Sequence, residues 1–119
     1  MVRAVLINER RGDIRNINVD MDPEKNEIYK ILRGRATFIG QWPELNVVIL
    51  KCDTSLFELN INNNKLPRPF TNIPCIRGKI LLIRMDDDAE PRDFTVSEYK
   101  QLVTNASPQT RLYTSSLVR

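Results

Sequence analysis

Histidine is absent from this chain. That absence removes the Ser-His-Asp and Cys-His nucleophilic systems, imidazole acid/base chemistry and most zinc geometries, because each needs a ring nitrogen that titrates or ligates near neutral pH. Cysteine is nearly as scarce. Cys52 and Cys75 are the only two and have no CxxC spacing, so they read as reduced thiols in apolar strands rather than as a disulfide or a metal site. No apolar run approaches the roughly 18 residues of a membrane-spanning helix, and the opening MVRAVLINERR returns to charge too soon for a signal peptide. A soluble, cytoplasmic protein without membrane contact is the expectation. Aromatic residues are 7% of the chain, too few to stack a run of unpaired bases. Nothing implies a cofactor.

What is present describes one small globular domain. The 119 residues are 41% hydrophobic and 28% charged, enough to bury one sheet against one or two helices. Eighteen basic and 15 acidic residues leave a net charge of +3, interleaved along most of the chain. Two basic groups stand out: Arg10, Arg11 and Arg15, then Arg68, Arg77 and Lys79. A nucleic-acid footprint is normally a denser patch on one face, so solvated surface is the plainer reading of both groups.

Residues 2–7 (VRAVLI) and 14–19 (IRNINV) read as two strands of a hairpin. In the second, Ile17 and Val19 share one face while Asn16 and Asn18 take the other; Gly12, beside Arg11 at the tip, can supply a positive φ. A helix is expected over residues 23–33, with Asp22 as N-cap, Pro23 in the first turn, an apolar stripe of Ile28, Ile31 and Leu32, and Gly34 as the stop. ATFIGQ (36–41) and NVVILKC (46–52) are the next strands. The second is apolar on both faces and should be central. Trp42, beside Pro43 in the connecting turn, is either a lid over the core edge or a ligand platform, and the lid is the simpler reading. Residues 53–59 show no clean period and carry no assignment.

Residues 60–85, NINNNKLPRPFTNIPCIRGKILLIRM, form the most distinctive stretch. Asparagine tolerates left-handed backbone and bonds its own main chain, while proline cannot donate to a ladder. An ordered turn outside the sheet must therefore precede the apolar strand 76–85. Gly78 marks a bulge or a close approach by a helix. Asp86, Asp87, Asp88 and Glu90 invite a cation, but the alternating register of a calcium loop is missing, so a solvated turn is the better account and no metal is expected. Thr95 and Glu98 then form a capping box, Phe94 and Tyr99 a hydrophobic staple, and Val96, Tyr99, Leu102 and Val103 a buried stripe ending near Thr104 or Asn105.

These elements predict an α+β fold: a single, mostly antiparallel sheet of about five strands with two helices on one face, in the order β-β-α-β-β-loop-β-α. Residues 1–105 make the domain and 106–119 a polar tail, flexible or docked to a partner or a second copy through Leu112, Tyr113, Leu117 and Val118.

The strand pair, the short helix ending near a glycine, VVILKC, the Asn-x-Leu-Pro turn (Asn64, Leu66, Pro67), the Ile-x-Gly-x-Ile strand (Ile76, Gly78, Ile80) and the capped last helix occur in a telling order. Over roughly residues 2–103 the chain resembles a family of small domains of unknown function found in phages, plasmids and large DNA viruses, viruses of algae among them. The resemblance implies a viral or mobile-element source and supplies no activity.

The functional expectation is a non-enzymatic accessory protein that binds a host or viral protein in the cytoplasm of an infected cell. Alternatives are a minor virion component, or a nucleic-acid binder through Arg10, Arg11 and Arg15 or through Arg68, Arg77 and Lys79. Candidate interaction residues are Asn62, Asn64, Arg68, Arg77 and Lys79, with Leu112, Tyr113 and Leu117 of the tail, which could also join two copies of the chain. An anion pocket built on Asn62, Asn64, Arg68 and Arg77 stands against a plainer alternative, in which the asparagines satisfy their own backbone.

Overall fold

The computed structural model describes residues 1–53, 59–71, 73 and 76–105. Cys75, the tail residues 106–119 and most of the unassigned stretch 53–59 lie outside these. The elements are β1 (Val2–Ile7), β2 (Ile14–Val19), α1 (Glu27–Leu32), β3 (Ala36–Trp42), β4 (Val47–Cys52), β5 (Ile80–Met85), β6 (Pro91–Arg92) and α2 (Val96–Asn105). The expected α+β architecture and element order hold, with the two-residue β6 added.

Strand order is β2-β1-β5-β4-β3, all antiparallel, with β6 beside the end of β5. Two local hairpins, β1–β2 and β3–β4, are thus joined by β5, which arrives from far along the chain and pairs with both. Its composition suits that place. Residues 80–83 are all buried, as are residues 4–7 of β1, and strands apolar on both faces belong inside a sheet covered on both sides. Strand β4 is interior, as its pattern indicated, but β5 is the middle strand.

Alternation along β1, β4 and β5 sends Val5, Ile7, Val47, Ile49, Ile80 and Leu82 to one face, packed with Trp42, Leu66, Phe94 and Tyr99. It sends Ala4, Leu6, Leu81 and Ile83 to the other, packed with Val19, Leu32 and Cys52. Helix α2 covers the first face and α1 the second. The expectation of both helices on one face is therefore corrected: strands apolar on both sides need cover on both, and each face receives one helix.

The first helix is shorter than its sequence signals. Asp22 caps as expected, accepting from the Glu24 N–H at 3.0 Å, but the turn that it starts is 3-10 (Pro23–Lys25), and Asn26 at φ 52° breaks it before α1 begins. Polar groups hold that break together. Asp20 accepts from the Asp22 N–H and pairs with Lys25 at 2.8 Å, while Glu27 accepts from the Asp20 N–H at 2.8 Å. The Lys25 ammonium at Asp20 draws its carboxyl below the usual range. Gly34 is not the left-handed stop; Arg33 takes that conformation at φ 64°. Gly34 is needed for close approach instead, since a Cβ there would stand 2.5 Å from the Cys52 sulfur.

Helix α2 follows its signals closely. Thr95 and Glu98 exchange the two capping-box hydrogen bonds at 3.2 Å each, and Asn16 on β2 accepts from the Val96 N–H at 2.8 Å. Phe94 and Tyr99 are both buried, and burial pushes the Tyr99 phenol up to about 12. Val103, expected in the stripe, is 44% exposed. Arg84 ties the helix to the sheet: it donates to the carbonyls of Leu45 and Asp93, pairs with Glu98 at 2.8 Å and lies 5.1 Å from the centre of the Phe94 ring.

Trp42 closes β3 rather than sitting in the turn after it. Its indole N–H donates to the Arg68 carbonyl at 2.8 Å and Phe70 meets it edge-on at 5.5 Å. At 2% exposure it has no open face for a ligand, so the packing role stands and the platform does not.

Candidate cationic groove

The asparagine turn is built by pairing its two ends. Asn62 N–H donates to the Ile76 carbonyl at 2.7 Å, Gly78 N–H to Asn60 at 2.8 Å, and Ile61 bridges Arg77 between them. This short ladder, together with Gly78 at φ 84°, lets the chain leave the sheet and return as β5. The close neighbour of Gly78 is Leu59, 3.2 Å from an added Cβ, so of the two readings of this glycine, a bulge or the approach of a helix, the second does not hold. The strand predicted over 76–85 is regular only from Ile80, because the glycine interrupts it.

Asn62 is buried. Its amide donates to the carbonyls of Ile7 and Gly78 at 3.2 and 2.9 Å, and its oxygen accepts from the N–H and side-chain amide of Asn64. Asn64 in turn donates to the carbonyls of Asn8 and Arg10 and accepts from the Gly12 N–H at 2.8 Å. Both side chains are spent on backbone, as the plainer alternative held, but chiefly on that of the distant β1–β2 hairpin rather than their own. Neither has capacity left for an anion. They are struts that bind the loop to the hairpin, and Asn63 N–H adds a third tie to the Glu9 carbonyl at 2.8 Å.

Those ties bring together what the sequence kept apart. Arg10 and Arg15 from the first basic group, and Arg77 and Lys79 from the second, line one open groove of about 960 Å³ with Asn60, Asn63, Glu9 and Asp13. Arg15 holds Asp13 through two hydrogen bonds of 2.7 and 3.2 Å, and this contact draws the Asp13 carboxyl below its usual range. Arg77 donates to the Leu59 carbonyl at 2.9 Å. Arg10 and Lys79 have no ion pair among the described residues.

Not every candidate joins the groove. Arg11 is exposed at the hairpin tip outside it, and Arg68 is exposed in a loop whose carbonyl receives the Trp42 indole. Leu112, Tyr113 and Leu117 lie outside the described residues. Glu9 and Asp13 were missed as groove residues; their only signal was adjacency to Arg10 and Arg15, and no spacing announces which face of a hairpin tip they share.

The acidic turn is likewise self-contained. Asp86 accepts from the N–H groups of Asp88 and Glu90 at 2.9 Å each and from Arg92 at 2.8 Å, and the Glu90 N–H above all lowers its carboxyl pKa. Among the described residues no group of Cys, Asp or Glu side chains is arranged to hold a metal ion, and no helix is long and apolar enough to cross a membrane.

Residues 5–102 match the model of DUF5880, a family of unknown function. The chain belongs to this family. The match opens inside β1 and closes inside α2, so the whole groove of this DUF5880 domain lies within it, as do the asparagine struts. No curated protein and no solved structure matches the chain.

Proposed function

We propose that this DUF5880 protein is a non-enzymatic accessory protein of a virus or mobile genetic element, and that it acts in the host cytoplasm by binding a host or viral protein through the cationic groove. One observation carries the reading. Two basic groups more than sixty residues apart in the chain, at 10–15 and 77–79, meet in a single groove, and the buried Asn62 with the half-buried Asn64 holds them there. A surface assembled at that distance in sequence suits recognition. The viral or mobile-element source rests on the order of motifs described above, and the non-enzymatic reading on the absence of histidine and on the use of Asn62, Asn64 and Asp86 for structure.

The test is affinity capture from the native host with the wild-type chain and with an Arg10→Glu/Lys79→Glu double variant. Both positions are at the groove and neither is in an ion pair among the described residues, so the variant should fold. A partner retained by the wild type and lost by the variant supports the reading; the same partners on both would refute it. The arginines equally favour a second reading, nucleic-acid binding, which would show as a complex at low salt that weakens steeply as salt rises.

A further inference from the structure

The cationic groove does not end at Lys79. That side chain also lines a second groove of about 410 Å³, bounded by Leu6 and Ile17 of the sheet and by Glu27, Lys30, Ile31 and Arg33 of the α1 region. Register explains the continuity. Arg15 and Ile17 are two residues apart on β2 and so share a face, and Leu6 stands directly opposite Arg15 across the β1–β2 ladder. The same face thus passes from guanidinium to aliphatic within one strand.

From this arrangement we infer that the two grooves form one docking surface for an acidic peptide segment with aliphatic side chains along one side. The inference rests on the protein-binding reading above and names the chemistry of its partner. Charge complementarity is the first argument. Arg10, Lys30, Arg33 and Lys79 have no ion pair among the described residues. Of the carboxylates along the surface, Asp13 is held by Arg15 and Glu27 accepts the Asp20 N–H, which leaves Glu9. The excess is cationic, and a partner must bring carboxylates to match it.

The apolar half decides against nucleic acid. Leu6, Ile17 and Ile31 offer nothing to a phosphate or a sugar, no aromatic side chain among the described residues lines either groove for a base to stack on, and Glu9 would repel a phosphate backbone. A peptide with acidic residues on one side and Leu, Ile or Phe at helical spacing on the other satisfies both halves at once.

The experiment is an array of short synthetic peptides in three matched sets: Glu/Asp with Leu, Ile or Phe at i, i+3, i+4; the same peptides with Ser for each apolar residue; and the same with Lys for each acid. The full-length chain is probed on it, with a labelled single strand and a duplex of DNA measured separately by anisotropy. The acidic-apolar set should bind at least about tenfold more tightly than its Ser counterparts, as burial of even one aliphatic side chain requires. The Lys set should not bind, and Lys79→Glu, verified as folded by circular dichroism, should abolish capture. Equal binding of the Ser set, or no binding of any set, overturns the composite surface. Tighter binding of DNA than of any peptide overturns it too. The cationic groove is judged separately, by the capture experiment with the double variant, so failure of the composite surface is distinguishable from failure of the protein-binding reading.

Discussion

The two faces of the sheet are covered in different ways. On the α2 face a ten-residue helix with a complete capping box joins Trp42, Phe94 and Tyr99, and the 66–70 loop closes over them; the aromatic rings are sealed from water. On the α1 face a six-residue helix lies over an aliphatic layer too wide for it. Phe38, which faces the same way as its partner Leu50, remains 57% exposed, and Ile17, Ile31, Val48 and Leu50 are only half-buried. The contrast separates two kinds of cover: one face is closed by buried aromatic rings, and the other keeps half-buried apolar surface beside Lys30, Arg33 and Lys79.

Substitution of one buried and one exposed ring should break or confirm that contrast. Phe94→Ala should cost about 4 kcal/mol, the usual penalty for emptying a buried aromatic site, whereas Phe38→Ala should stay within about 0.5 kcal/mol. Urea unfolding of both variants gives the difference, and equal losses would mean that the α1 face is as well packed as the other. Next in size is Asn62→Ala. It strands the buried carbonyls of Ile7 and Gly78 and releases Asn64, so a loss of about 3 kcal/mol is expected, with faster amide exchange in both the loop and the hairpin tip. An effect confined to the loop would show that the hairpin holds its shape alone.

A smaller effect belongs to the start of the α1 region. Asp22→Ala removes one cap and should lower the unfolding free energy by about 1 kcal/mol, read by urea unfolding; no loss would mean that the Glu24 N–H finds another partner. The smallest under ordinary conditions concerns pH. Tyr99 has its folded pKa raised from 10.0 to about 12, so the folded state holds the phenolic proton more tightly than the unfolded one. Its contribution is fully present below about 10 and is lost as pH rises through about 12. Tyr99→Phe should flatten the stability profile in that alkaline window and leave neutral pH nearly unchanged, and an unaltered profile would place the phenol in water.

What could be read from the chain follows the range of each interaction. The β1–β2 hairpin with Gly12, the Asp22 cap, the Thr95/Glu98 box and the order of elements all rest on neighbours within a few residues, and they are found as read. The failures are of two kinds. Asn26 interrupts the helix expected over residues 23–33, at a break that Asp20 and Glu27 hold together, and Arg33 takes the left-handed position expected of Gly34, its N–H bonded to the Tyr29 carbonyl. The placement of α1 and α2 on opposite faces was missed because periodicity shows that a helix has an apolar stripe but not which side of a sheet receives it.

By itself the sequence determined the order of the main elements, the one-sheet α+β class, the Asp22 cap and the Thr95/Glu98 box and the exclusion of histidine chemistry, since each depends on residue type and short spacing. Only the tertiary structure decided that β5 lies between two hairpins, that each face carries one helix, and that Asn62 and Asn64 serve the β1–β2 hairpin. The meeting of Arg10 and Arg15 with Arg77 and Lys79 was decided there too. Those outcomes depend on contacts between residues far apart in the chain, where the register of β1 against β5 sets which side chains become neighbours and no local pattern carries that information.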